Sequence, residues 1–158
     1  MQISTYIRAL FGVFAVACAL VPAAHATTLT ASERSVLAAV NDVREAHQLR
    51  PLGVDAALVR AARAHSTTLM ARDVFTHGAL GERLAEYGVR GPVYGENLAW
   101  GTGSRATAAS IVQGWMASSG HRANLLRPGW TLIGIGRRVG TFLGHGGATV
   151  VTADFAGH

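Results

Sequence analysis

Apolar residues recur along the chain in two different rhythms. From Thr30 the spacing is helical: Val36, Leu37, Val40 and Val43 return every three or four residues through about His47. Thr30 followed by Glu33 is a capping box that starts this helix, and Pro51 stops it. Asp55 caps a second helix, whose stripe of Leu58, Ala61, Ala62, His65 and Leu69 runs to about Arg72. Leu80–Tyr87 reads as a short turn. Val93–Trp100 reads as a strand, bounded by Gly91-Pro92 and Gly101. Ser104 is placed to cap a third long helix carrying Ala108, Ile111, Val112, Trp115 and Met116, weakened locally by Gly114. A short helical piece, Gly120–Leu126, ends before Pro128. Thr131–Val139 and Ala148–Phe155 then read as two strands joined by a glycine-rich hairpin, Gly140–Gly147. Helices first and antiparallel strands late predict an α+β fold rather than a parallel α/β one.

The first 26 residues do not belong to that pattern. Met1–Arg8 carries one positive charge, Ala9–Val21 is an apolar run of 13 residues, and Pro22 precedes Ala24-His25-Ala26. Charge, apolar run and small-residue site arrive in the order of a secretory signal peptide, cleaved near Ala26. The run is too short to span a bilayer. A lipoprotein start at Cys18 is the competing reading. Ala15-Val16-Ala17 is a poor approach to such a cysteine, and the chain stays apolar through Val21. The expectation is residues 1–26 as signal peptide and 27–158 as one secreted or periplasmic domain, not an integral membrane protein. Cys18 is the single cysteine, so that domain holds no disulfide. At its size it needs none.

Composition narrows the chemistry. Apolar residues make up 49% of the chain and charged ones 15%, which excludes disorder as a whole. All 14 basic residues are Arg. Without Lys there is no P-loop, no Schiff-base chemistry and no Lys-assisted Ser nucleophile. The net charge of +5 comes from scattered Arg rather than a basic run, so nucleic acid is not an expected partner. Of 19 glycines, a single one, Gly53, lies between Thr27 and His77. The back of the chain is where turns and strands concentrate.

Specific blocks stand on these elements: Ala61-Ala62-Arg63-Ala64-His65-Ser66, Phe75-Thr76-His77, Gly95-Glu96-Asn97-Leu98-Ala99, and the long run from Gly114-Trp115-Met116 through Gly120-His121-Arg122-Ala123-Asn124-Leu125-Leu126. Ile133-Gly134-Ile135-Gly136 and Asp154-Phe155 complete the set. In this order and spacing they resemble the CAP superfamily of cysteine-rich secretory, antigen 5 and pathogenesis-related class 1 proteins, and most of all its short bacterial secreted members. The resemblance covers about residues 33–156. It implies an α–β–α sandwich, a small antiparallel sheet between helices, with a central cleft of two His and two acids. Carried onto this chain, those are His77, Glu96 and His121. The second acid falls three residues after Trp115, where this chain has Ser118, so the set is incomplete.

Two imidazoles and one carboxylate with an open fourth position are also the ligand set of an exchangeable zinc site. With the resemblance bringing them into one cleft, His77, His121 and Glu96 leave two readings open: a Zn2+ site, or a hydrogen-bonded His–Glu network that holds the loops with no metal. His65, on an apolar stripe, reads as a satisfied core histidine; His47, His145 and His158 have exposed or terminal contexts. Glu96 and Asn97 are adjacent in an extended segment and must face opposite ways, so Asn97, like Asn124, is expected to tie down a neighbouring loop. Trp100, Trp115 and Trp130 read as core or rim aromatics. Ser118-Ser119 lacks a nucleophile elbow. The favoured function is binding without turnover; the resemblance implies lipid or sterol, cell-envelope or protein ligands in the cleft. The alternative is a metal-assisted hydrolase using His77, Glu96 and His121, in which Glu96 cannot be both ligand and general base.

Overall fold

The computed structural model describes residues 28–157. The expected signal peptide and its cleavage point lie outside them. Helix α1 (Ala31–Ala46) begins with the capping box: the Thr30 hydroxyl accepts from the Glu33 amide, and the Glu33 carboxylate accepts from the Thr30 amide at 2.8 Å. Strand β1 (Gly53–Val54) leads through the Asp55 cap into α2 (Ala56–Arg72). Two helices follow in place of simpler expectations. Leu80–Glu86 is a true helix, α3, because burying Leu84 against Leu58, Ala61 and Ala156 holds the segment down. The third long helix starts later than Ser104. Gly103–Ala106 forms a single 3-10 turn, and the Thr107 hydroxyl caps α4 (Ala108–Ala117) by accepting from the Ser110 amide. A short α5 (Ser119–Leu125) completes the helical set.

Strands β2 (Val93–Gly101), β3 (Trp130–Phe142) and β4 (His145–Gly157) form an antiparallel sheet in the order β3-β4-β2. The hairpin is tighter than its glycine content suggests. Pairing runs to Phe142 and His145, leaving Leu143 and Gly144 as the turn, both at positive φ. β1 adds to the outer edge of β3 in parallel, so the sheet is mixed. β2 is the opposite edge, and it carries Glu96.

Alternation along β4 sorts the two faces. Val151, Ala153 and Phe155 join Val36, Val40, Ile111 and Trp115 in the larger core under α1 and α4. Val150, Thr152, Asp154 and Ala156 face the other way, toward α2 and α3. On that side α2 lies directly on the backbone of β3. A Cβ on Gly134 would sit 2.1 Å from the Leu58 carbonyl carbon, and one on Gly136 would sit 2.2 Å from that of Ala62. The two glycines let helix and strand touch, and Ser66 fixes the contact by donating to the Gly136 carbonyl at 3.1 Å.

Candidate functional site

The site forms where the β2 edge, the exit of α2 and α3 converge. Glu96 projects from β2 toward α2 and α3, and its side chain is 1% exposed. His77, on the segment leaving α2, donates from Nδ1 to Glu96 Oε1 at 2.7 Å. Arg83 of α3 donates from Nη2 to Glu96 Oε2 in a very short bond. The same Nη2 reaches Asp154 Oδ1 at 3.5 Å. Asp154 is fully buried and is the cross-strand partner of Glu96 in the β2–β4 register. Its Oδ2 has no hydrogen-bond partner among the described residues. His65 completes the cluster, with Nε2 at 3.6 Å from Glu96 Oε2.

Bond directions fix the protons. A guanidinium only donates, so His65 Nδ1 accepts from Arg83 Nη1 at 3.2 Å. A carbonyl only accepts, so His65 Nε2 carries the hydrogen and donates to Thr76 O at 3.0 Å. His65 is therefore neutral. Burial, with the Arg83 charge beside it, holds its pKa down at about 4. His77 donates its Nδ1 hydrogen to a carboxylate, and Nε2 has no hydrogen-bond partner among the described residues on a ring 57% exposed. Burial drives Glu96 up to about 7 against the opposing pull of Arg83. Asp154 is raised well above the usual carboxylate range, first by burial and then by the charge of Glu96. One guanidinium faces two carboxylates, so the cluster is neutral when they hold one proton between them.

Asn97, next along β2, faces away from Glu96 and donates to the His121 carbonyl at 3.0 Å. It accepts in turn from Asn124 at 3.0 Å. These bonds seat α5 and so His121, whose pKa is lowered by burial and by the nearby His77. Ser118 precedes α5. With His121 it lines an open cavity of about 740 Å3, walled also by Phe75, Leu98, Trp100 and Trp115. Trp115 is buried and donates to the Leu98 carbonyl at 2.9 Å. Trp130 is buried too and donates to Asn124 O at 2.7 Å. Trp100 is half-buried at the cavity wall.

Of the residues singled out from sequence, His77 and Glu96 are in direct contact, while His121 and Ser118 stand together at the cavity. Among the described residues, no three His, Cys, Asp or Glu side chains are gathered as a metal cluster. Two members of the cluster escaped the sequence reading. Asp154 lay in a noted block, but only the β2–β4 register sets it opposite Glu96. Arg83 lay in a segment read as a turn and carried no signal.

A signature of the cysteine-rich secretory protein family, CAP, matches residues 37–155. The chain belongs to the CAP family. It is 33% identical over 115 residues to the uncharacterized protein YkwD of Bacillus subtilis, an alignment that takes in 70% of this chain and 44% of that one. It is also 33% identical over 112 residues to the uncharacterized membrane protein YlbC of the same organism, covering 68% of this chain and 32% of that one. The chain thus spans less than half the length of these relatives. Its fold is similar to that of an extracellular protein containing an SCP domain from Bacillus anthracis, with a TM-score of 0.68 and 27% identity over 80% of this chain and 40% of that one. The CAP domain of enterococcal PrgA is similar in fold alone, with a TM-score of 0.58 at 19% identity over 84% of this chain and 64% of that one. These neighbours share the α+β architecture described above. No helix among the described residues is long and apolar enough to cross a membrane.

Proposed function

We propose that this CAP domain is a binding module of the cell exterior, whose ligand lies in the cavity beside Ser118 and His121. The observation that carries this reading is the state of Glu96. Both of its oxygens are engaged, by His77 and Arg83, and its side chain is 1% exposed. A hydrolase needs a carboxylate free to take a proton from water. Glu96 instead stiffens the wall of the cleft. The cavity offers an apolar side from Phe75, Leu98, Trp100 and Trp115, with Ser118 and His121 among its polar groups and Arg105, Ser110 and Gln113 completing them. Such a lining suits an amphipathic ligand: a lipid or sterol, an envelope component, or an apolar segment of a protein. The exterior location rests on the signal peptide expected from residues 1–26 and on the extracellular neighbour.

The fit to zinc differs between the residues. His77 suits a metal because its Nδ1 hydrogen is held by a carboxylate and its Nε2 is engaged by no partner among the described residues, the arrangement that commonly orients a ligating imidazole. Glu96 suits the part of orienting carboxylate, since direct ligation would have to displace Arg83. In this reading His77 and His121 hold an exchangeable Zn2+, which when bound offers a Lewis-acidic anchor for a ligand oxygen.

Mature protein incubated with peptidoglycan sacculi, lipid vesicles and unstructured peptides, with and without chelator, tests the reading. Retention on one surface without release of product is expected. Chelator-sensitive product release would overturn it in favour of the hydrolase.

A further inference from the structure

A second pocket of about 310 Å3, between the end of α2, the segment after it, and α3, is walled in part by His65 and Arg83 of the Glu96 cluster and shares no lining residue with the large cavity. Its charge is one-sided. Arg72 and Arg83 line it and no acidic side chain does. The two arginines are in different states. The guanidinium of Arg83 is held by Glu96, Asp154 and His65 and is largely compensated. Arg72, in the last turn of α2, is exposed and forms no hydrogen bond or ion pair among the described residues. His65, on the wall, is neutral with both ring nitrogens engaged. The pocket therefore carries one uncompensated positive charge, which favours a single anionic group.

Its other donors are hydroxyls. Thr68 and Thr76 both line it, and Thr76 Oγ1 accepts from the Gly78 amide at 3.3 Å, which leaves its own hydrogen free to donate outward. Leu69 and Val74 supply an apolar side, with Val74 48% exposed. A forked guanidinium with two hydroxyl donors matches the two oxygens of a carboxylate. An apolar wall in a space this small admits a short alkyl group.

We propose that this pocket binds a small aliphatic carboxylate, its oxygens on Arg72, Thr68 and Thr76 and its alkyl part against Leu69 and Val74. The chemistry is shared by a free short-chain acid and by the terminal carboxylate of a peptide. The pocket shares His65 and Arg83 with the Glu96 cluster, but the residues that would hold the carboxylate, Arg72, Thr68 and Thr76, line no part of the cavity proposed above.

Titration of the 15N-labelled mature protein with butyrate, followed by amide chemical shifts, tests this. Saturable shifts are expected at Thr68, Arg72 and Thr76. Butyramide, the neutral analogue, should produce none of them. Arg72→Gln should weaken butyrate binding at least tenfold while the melting temperature and any zinc isotherm stay unchanged. N-acetyl-alanyl-alanine against its C-terminal amide separates the sources: tighter binding than butyrate assigns a peptide end, weaker binding a free acid. Equal shifts from butyramide, equal affinity for inorganic phosphate, or an Arg72→Gln variant that still binds like wild type would overturn the proposal.

Discussion

Glu96 and Asp154 stand directly opposite each other across the β2–β4 ladder, and one nitrogen of Arg83 reaches both carboxylates. Two acids in register on a buried face repel each other when both are ionised. One cation cannot balance two anions out of water, so a proton stays in the pair at neutral pH. The dyad thereby couples the edge strand to the centre of the sheet and to α3.

The first consequence concerns pH and stability. Glu96 has a folded-state pKa of about 7 against an ordinary 4.5, so its contribution is complete below 4.5 and is lost as pH rises toward about 7. His65 runs the other way. Its folded pKa of about 4 lies below the ordinary 6.5, so its contribution is present above 6.5 and is lost as pH falls toward about 4. Asp154, also raised, acts with Glu96, and His121, also lowered, acts with His65, so the slopes oppose each other between 4.5 and 6.5 and the wild type should be nearly flat there. Glu96→Gln removes one of them. Its stability should rise with pH across that window, by at most about 1.4 kcal/mol per unit. Urea midpoints across the window decide it, and a variant as flat as wild type would refute the opposition.

The two carboxylates should also differ on neutralisation above that window. Glu96→Gln breaks charge-assisted bonds to both His77 and Arg83 and should cost on the order of 1–3 kcal/mol in chelator. Asp154→Asn removes the like charge and keeps the shape, while Arg83 retains Glu96. It should cost clearly less. Paired denaturant melts check the order; equal losses would mean that the two acids do not share a proton.

A third expectation sets two glycines against each other. Gly114 lies inside α4, and a Cβ there meets nothing within 4 Å, so Gly114→Ala should stabilise by about 0.5–1 kcal/mol through helix propensity. Gly134→Ala drives a methyl into the backbone of Leu58 and Val59 at 2.1–2.4 Å and should destabilise by about 1–3 kcal/mol or more. Thermal melts of the two variants test both signs.

That contrast also marks what could be read from the chain. Periodicity located α1, α2 and the three long strands because each buries a continuous stripe, and the capping residues Thr30 and Asp55 act as their chemistry predicts. Alternation correctly sent Glu96 and Asn97 to opposite faces. Long-range partners were not legible. Arg44 looks like a polar residue near a helix end, yet it is fully buried and donates to the carbonyls of Arg50, Leu125 and Arg127. Arg83 and Asp154 likewise acquire their meaning through strand register and the seating of α3, which no local pattern encodes. β1 is two residues long and exists through its pairing with β3.

The last prediction concerns metal. His77 engages Glu96 through Nδ1 and presents Nε2 unengaged, His121 lies near it, and both nitrogens of His65 are engaged. Zinc should therefore bind weakly to chelator-stripped protein, be lost in His77→Ala and in His121→Ala, and be unaffected by His65→Ala. Glu96 sets the two views of the site apart. If it ligates directly, Glu96→Gln should abolish binding as completely as His77→Ala does. If it orients His77, the amide oxygen of Gln can still accept the Nδ1 hydrogen, and affinity should fall about 10–100-fold without vanishing. Ser118→Glu adds a carboxylate beside His121 and should tighten binding by offsetting more of the ion's charge. Calorimetric titration of the five variants reads all of these at once. An isotherm unchanged by His77→Ala would remove the metal from this cleft and leave its histidines as hydrogen-bonding groups alone.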